Sequence, residues 1–439
     1  MIEFVTLLLA LQIGVRPVEV SVTGPVAAVE LHVDDRTTLR RNGPPWTFPV
    51  DLGQELLPHK LVAVALDAEG EELDRAVQWV NYARDSFEAT IVLEDATALT
   101  DSEGDGPPRG GRVVWASALD RDPLRIDLTF DGDPLEVDPS DGGFRLPAYD
   151  LGDVHYLRAE VEFSAGPVAT AESIFGGVYG EQVTSALTAV TLRVPAGTEL
   201  PPPAEVAGWL RVRGEPVSAF STETAGAEVV VVRDNHIDPN LRALTRKRPE
   251  RVFARAGKIW DGEEVEAVTA GFVLTAPLPR DPPHVFRTVE VEPVDVEAGL
   301  WSLAYHRYPR YKQPATQHLA WATALAGKHL ADAKRPRAVV LLLAKRPKDA
   351  SSISFGQAWG FLRALRVPVF VWVPEEKTLE RIGGAPEGRV FIGVDGMLEL
   401  FAAVDAELGS QRTVWLEGEH LPRDVTLSPD APEGVALVE

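Results

Sequence analysis

The chain of 439 residues contains no cysteine. Disulfides, thiolate metal sites, iron–sulfur clusters and cysteine nucleophiles are excluded together. No apolar run reaches the roughly 20 residues that a membrane-spanning helix needs. The start, "MIEFVTLLLALQIGVRPVEV", has an apolar core from Phe4 to Leu11. That core resembles the middle of a signal peptide, but basic residues are missing before it and Glu3 has the opposite sign. Residues 1–14 are expected to be a signal-like segment, with a first β-strand as the alternative reading. A periplasmic or secreted location is expected, with a cytoplasmic one as the alternative. Enzyme signatures are also missing. There is no Gly-x-Ser-x-Gly elbow, no phosphate-binding loop ending in Lys-Ser/Thr, and no His-Glu-x-x-His. Carboxylates are abundant enough for glycoside hydrolysis, but nothing singles out a pair.

What is present is acidic and unevenly so. The net charge is −23. Residues 1–225 hold 16 Lys+Arg and 37 Asp+Glu, whereas residues 226–439 hold 27 and 29. The first half should repel nucleic acid and anionic membranes and keep the chain soluble. The length implies several domains. The 35 prolines and 36 glycines imply many turns.

An internal repeat fills the first half. One copy runs from "VAAVELHVDD" to "AVQWVN", the other from "LRIDLTFDGD" to "ESIFGG". Each shows a strand, an acidic turn, an aromatic residue (Trp46, Phe144), the tripeptide Asp-Leu-Gly, a histidine (His59, His155) and a strand of alternating apolar residues. Period-two alternation with frequent turn signals marks β-sandwiches, here expected over 15–83 and 86–188. Trp46 and Phe144 are expected at equivalent core positions. The two histidines are expected to open strands and satisfy turns rather than bind ligands. The Gly/Pro-rich "DSEGDGPPRGGR" reads as a linker, as does "PAGTELPPPAE" within a connecting stretch, 189–225.

The pattern then changes. "AEVVVV", "RAVVLLLA" and "VPVFVWV" are continuous apolar strands. Helical spacing separates them, in "QHLAWATALAGKHLADA", "SFGQAWGFLRAL" and "DGMLELFAAVDAELG". This predicts a doubly wound α/β domain over 226–410, its sheet mostly parallel and covered on both faces. A C-terminal strand segment, 411–439, follows. His318 and His329 lie 11 apart on the first of these helices, roughly on one face but too far apart to share a metal.

The chain resembles the von Willebrand factor A (vWA)-related proteins of acidobacterial type, in which immunoglobulin-like β-modules precede a vWA domain. The lead-in "GWLRVRGEPVSAFSTETAGAEVVVVRDNHID" is similar to the segment entering the first vWA strand. "RAVVLLLAKRPKDASSISFGQAWGFLRALRVPVFVWV" is similar to the fourth and fifth strands with their helix. "ELGSQRTVWLEG" resembles the closing helix and the strand after it. The resemblance implies a magnesium site at the C-terminal edge of the sheet, built from Asp-x-Ser-x-Ser, a loop threonine and an aspartate after the fourth strand. Here the first loop carries Asp234, His236 and Asp238, and Thr316 is the counterpart of the threonine. The expected aspartate falls on Ala344 or Lys345, and Asp349 lies several residues too far on. A lysine there would set a positive charge in or near the ion pocket. The expected outcome is a degenerate site that holds no cofactor, with zinc on imidazole and carboxylate as the rebuilt alternative to magnesium.

A second constellation is "YHRYPRYK", which carries Tyr305, Arg307, Tyr308, Arg310 and Tyr311. Basic groups interleaved with aromatic faces suit a protein contact surface. The sequence therefore reads as a non-enzymatic binding, scaffold or adhesion-type protein with an unidentified protein partner, no nucleic acid and no transmembrane segment. The alternative is a carboxylate- or metal-dependent hydrolase acting on a cell-surface polymer.

Overall fold

A computed structural model describes residues 2–82, 87–94, 109–117, 122–150, 152–163, 168–175, 187–195, 198, 200–223, 227–234, 236, 270–276, 287–294, 300, 317–331, 335–386 and 388–438. The chain forms two compact units, residues 1–54 with 59–184, and residues 55–58 with 185–439.

The first unit holds two sandwiches of one topology. The first is built from β1 (Ile2–Phe4), β2 (Val15–Val22), β3 (Ala28–Val33), β4 (Thr37–Arg41), β5 (Thr47–Asp51), β6 (His59–Leu66) and β7 (Glu72–Val80). Its sheets run β1-β2-β5 and β4-β3-β6-β7. The second uses β8 (Phe87–Glu94), β9 (Gly110–Ser117), β10 (Pro123–Phe130), β11 (Asp133–Leu135), β12 (Gly143–Arg145), β13 (His155–Phe163) and β14 (Val168–Phe175). Its sheets run β8-β9-β12 and β11-β10-β13-β14, the same order strand for strand. Alternation decides which face is inward: in β13, Leu157, Ala159, Val161 and Phe163 are buried while Arg158 is exposed. These are immunoglobulin-like sandwiches, as the repeat predicts.

Within residues 1–14, Ile2–Phe4 form the short strand β1. Ile2 and Phe4 enter the core of the first sandwich with Leu8. Along this segment β7 and the residue after it also supply side-chain acceptors to the backbone. Ile2 N–H donates to Asp74 Oδ2 at 2.9 Å, Leu8 N–H to Gln78 Oε1 at 2.8 Å and Gln12 N–H to Asn81 Oδ1 at 2.6 Å. Buried amides demand such partners.

The aromatic correspondence differs from the expectation. Val20 N–H donates to Trp46 O, and in the second sandwich Val113 N–H donates to Gly142 O. Trp46 is thus equivalent to Gly142, and Phe48 to Phe144. The tripeptide Asp-Leu-Gly misleads the alignment because the loop after the strand is longer in the second copy: Asp51 ends β5, whereas Asp150 lies beyond β12. Both aspartates still make the same turn, accepting the N–H of the glycine two residues on, at 2.9 Å each.

The second unit begins with β15 (Leu187–Arg193), α1 (Pro203–Gly208), β16 (Leu210–Val212), β17 (Glu215–Pro216) and β18 (Ala219–Glu223). The α/β part follows: β19 (Glu228–Arg233), β20 (Ala270–Ala276), β21 (Arg287–Val294), α2 (Leu319–Ala331), β22 (Arg337–Leu342), α3 (Phe355–Ala364), β23 (Val369–Val373), α4 (Lys377–Arg381), β24 (Val390–Ile392) and α5 (Gly393–Ser410). The chain closes with β25 (Gln411–Glu417), β26 (Val425–Leu427) and β27 (Ala436–Leu437).

The stretches read as a linker (189–225) and a closing segment (411–439) are two halves of one folded piece. Their strands form the sheets β18-β25-β15-β27 and β17-β16-β26 around Val190, Leu192, Val206, Trp209, Val414 and Leu416. The strand after the closing helix therefore pairs antiparallel with β15 and β18, outside the α/β sheet. The α/β part is an insertion between β18 and β25.

That insertion holds a six-stranded sheet ordered β21-β20-β19-β22-β23-β24. All neighbours are parallel except the edge strand β21. In their own chain order the strands run 3-2-1-4-5-6. The three apolar runs lie side by side in this sheet, as their composition predicts. Met397, Leu400, Phe401, Val404 and Leu408 of α5 pack on the face carrying Val229, Val231, Ala338 and Val340. Helix α2 covers the other face of β19 and β22. At the opposite edge from the strand tips, Arg337 is wholly buried. Its Nη1 donates to Leu330 O at 3.0 Å and Ala331 O at 3.1 Å, and its Nη2 to Leu365 O at 3.4 Å. One guanidinium thereby closes the C-terminal ends of α2 and α3, where a cation also meets the negative end of each helix dipole.

Candidate functional site at the end of the parallel sheet

In open α/β sheets ligands bind beyond the C-terminal ends of the strands, where the strand order reverses. Here that point lies between β19 and β22. Val229 to Val232 are fully buried, and the chain leaves the sheet at Asp234. Asp234 N–H still donates to Leu342 O at 2.8 Å, so the residue extends the ladder by one step.

Its carboxylate is fully buried and used by the protein. Oδ2 accepts Ala344 N–H at 3.2 Å, across the gap between the two strands. Oδ1 accepts His236 N–H at 2.8 Å and Gln317 Nε2–H at 3.0 Å. Gln317 is itself buried, just before α2, and its Nε2 also lies 2.6 Å from His236 Nδ1. An amide nitrogen carries two hydrogens, so Gln317 serves both acceptors. His236 Nδ1 is then an acceptor and its ring hydrogen sits on Nε2. The 3.3 Å separation of Nδ1 and Asp234 Oδ1 is two acceptors sharing a donor. The His236 side chain is 37% exposed, the polar group this cluster offers to solvent.

The flanking residues complete the frame. Lys345 does not charge the site: its ammonium pairs with Glu375 at 2.7 Å, and that bond holds the Glu375 carboxyl below its ordinary range. The Lys345 carbonyl accepts from Thr378 Oγ1 at 3.2 Å and from the Arg381 guanidinium. Asp349 has a task that spacing did not reveal. Its Oδ1 accepts Leu319 N–H at 2.8 Å and its Oδ2 accepts Ala320 N–H at 3.4 Å, capping α2 from another segment. Ser351 continues the cap by accepting Trp321 N–H at 3.2 Å. His318 is buried at the start of α2, and among the described residues its Nδ1 has no hydrogen-bond partner. His329, near the other end, pairs with Glu228 at 2.9 Å. Gln317 was not legible as a site residue; its one signal was adjacency to Thr316.

Asp238, Thr316, Tyr305, Arg307, Tyr308, Arg310 and Tyr311 lie outside the described residues. Of the expected metal set, the structure places Asp234 and His236 and brings them together. Among the described residues no three His, Asp or Glu side chains come close enough to hold a metal ion. Magnesium needs carboxylate lone pairs and keeps water around it. Asp234 directs its lone pairs at three N–H groups instead, so the two described residues of the expected set do not by themselves fit a magnesium centre. Among the described residues no helix is long and apolar enough to cross a membrane.

No family model matches the chain, and no curated protein matches it. Similarity to solved structures is weak. Fibronectin(III)-like modules of CbhA from Clostridium thermocellum share 12% identity over 42% of this chain and 100% of theirs, with a TM-score of 0.16. A 1.5-MDa bacterial ice-binding adhesin, studied for host cell surface retention, shares 15% over 47% of this chain and 76% of its own, with a TM-score of 0.15. A tetra-tandem repeat from the extending region of a large adhesion protein shares 16% over 45% and 51%, with a TM-score of 0.14.

Proposed function

We propose that this chain is a non-enzymatic, adhesion- or scaffold-type protein that binds a protein partner outside the cytoplasm, through the end of a vWA-like domain whose metal site is degenerate. The strand order 3-2-1-4-5-6 with one antiparallel edge supports the vWA-like reading, since it sets the first strand beside the fourth and the fourth beside the fifth. The observation that carries the functional reading is the state of Asp234. Its carboxylate stitches β19 to the Ala344 backbone and to Gln317, closing the crevice where a cation would sit. What remains for a partner is the His236 ring, with its Nε2–H as donor, and the tyrosine-rich segment 305–312. Tyrosine and arginine in contact surfaces bury large areas with few rotors and carry directed donors.

The test is capture of a partner from a surface fraction of the native cells by the whole protein, with magnesium and with chelator. Binding should be the same in both. His236→Ala and the pair Tyr308→Ala with Arg310→Ala should each weaken it at least about tenfold. A melting temperature raised by magnesium or manganese and restored by chelator, with the effect lost in Asp234→Ala, would show an intact cation site and defeat the reading. Release of sugars from a cell-surface polymer would favour a hydrolase.

A further inference from the structure

We propose that Glu3 is a pH-sensitive latch across the junction of the two N-terminal sandwiches, closed when its carboxyl is protonated and released when it ionises. Glu3 sits in β1 between two core residues, Ile2 and Phe4. Successive strand residues point to opposite faces, so its side chain leaves the first sandwich on the outer face of its three-stranded sheet. There it meets the second sandwich, where Thr90 Oγ1 of β8 donates to Glu3 Oε2 at 3.4 Å. The residue opposite Glu3 on β2 is Ser21, which brings no charge. From β7 comes Asp74, a second carboxylate, already accepting the N–H groups of Ile2 and Arg75 at 2.9 and 2.8 Å. By strand alternation β8 places Glu88 on the same face as Thr90.

This is a poor place for an anion. It is half-buried between the two sandwiches, with one hydroxyl as donor among the described residues and a like charge beside it. A neutral carboxylic acid fits: it accepts from Thr90 and has a hydrogen of its own to donate. Burial first, then the Asp74 charge, push the carboxyl up to about 7, against the hydroxyl bond of Thr90. A group whose pKa is raised by closing contributes full stability below its ordinary value of 4.5, and loses it as pH rises through about 7. The closed junction is thus favoured in mildly acidic surroundings and weakened in mildly alkaline ones.

Hydrogen–deuterium exchange on the whole chain tests this, compared at about pH 6 and about pH 8, corrected for intrinsic rates and read on β1 and β8. Protection of these strands should fall roughly tenfold at the higher pH, while β22 in the α/β insertion stays unchanged. Glu3→Gln should abolish the fall, because its amide cannot ionise yet can still accept from Thr90. Asp74→Asn, useful also if the glutamine variant folds poorly, should move the midpoint to lower pH. Equal protection at both pH values in the wild type overturns the proposal. So does a tenfold fall that persists in Glu3→Gln, or a midpoint that Asp74→Asn leaves in place.

Discussion

The carboxylate of Asp34 grips His59 twice over: Oδ2 accepts its Nδ1–H at 2.8 Å, and Oδ1 accepts the N–H of the next residue, Lys60, at 2.9 Å. Asp131 does the same for His155 and Tyr156, at 2.7 and 2.8 Å. Both aspartates sit in the left-handed region, φ +55° and +52°, which aspartate tolerates better than most residues. The repeat therefore preserves a strained turn together with the histidine that ties it down.

The two histidines differ in one respect that predicts pH behaviour. His155 Nε2 faces the Asp150 carbonyl at 2.8 Å, so both ring nitrogens meet obligate acceptors and both need hydrogens. In His59 the Nε2 has no hydrogen-bond partner among the described residues. The bond to Asp131, then that to Asp150, raise the His155 pKa above 6.5. The bond to His155, then that from Tyr156, lower Asp131 below 3.8. The His155 contribution is complete below 6.5 and lost as pH rises through the raised value. The Asp131 contribution is complete above 3.8 and lost as pH falls through the lowered one. Denaturant titrations of wild type and His155→Gln should differ most between these limits, and the gap should narrow on the alkaline side. A gap independent of pH would show that the ring acts by packing alone.

Gly142 carries a second prediction. Its φ is +76°, and a Cβ there would lie 2.1 Å from Val113 O and 2.9 Å from a ring carbon of Trp115. The first sandwich fills the equivalent position with Trp46. Gly142→Ala should cost about 1–3 kcal/mol, visible as a lower denaturation midpoint for the second sandwich. Trp46→Gly should also destabilise, but by loss of partly buried surface rather than by clash. A neutral Gly142→Ala would mean the strand shifts freely.

Arg337 is the third. Replacing it with methionine keeps the apolar stem but strips three carbonyls at two helix ends of their donor. The expected cost is roughly 3 kcal/mol. Lysine should recover only part of it, since one ammonium lacks the guanidinium fork that reaches both α2 and α3. Recovery of full stability by lysine would show that charge alone matters.

Much of this fold is written locally. Val229 to Val232, the run 338–343 and the run 369–373 are too apolar for anything but strands buried on both faces, and helical spacing separates them. The alternation after His59 and His155 marks their strands equally well. The discontinuous β-piece is another matter. Leu187 pairs with Glu417 and Arg193 with Gln411, and no periodicity within either segment says which distant strand will meet it. The same blindness hid the Phe48–Phe144 equivalence behind a loop of different length. At the candidate site Asp234 and His236 were legible because an apolar strand ends on them. Gln317 was not, since a glutamine's role depends on which two acceptors the fold brings within reach. The direction taken by Lys345 depends on Glu375, which lies on a loop after the next strand.

The insertion of the α/β domain has a mechanical consequence. Its two connections leave the host sheet side by side, because Glu223 at the end of β18 stands opposite Thr413 near the start of β25. The strands that lead into and out of the host piece, β15 and β27, are neighbours as well, with Leu192 opposite Leu437. A pull transmitted along the chain therefore crosses from β15 to β27 directly. It bypasses the α/β domain, which hangs as an unloaded branch until the host sheet tears.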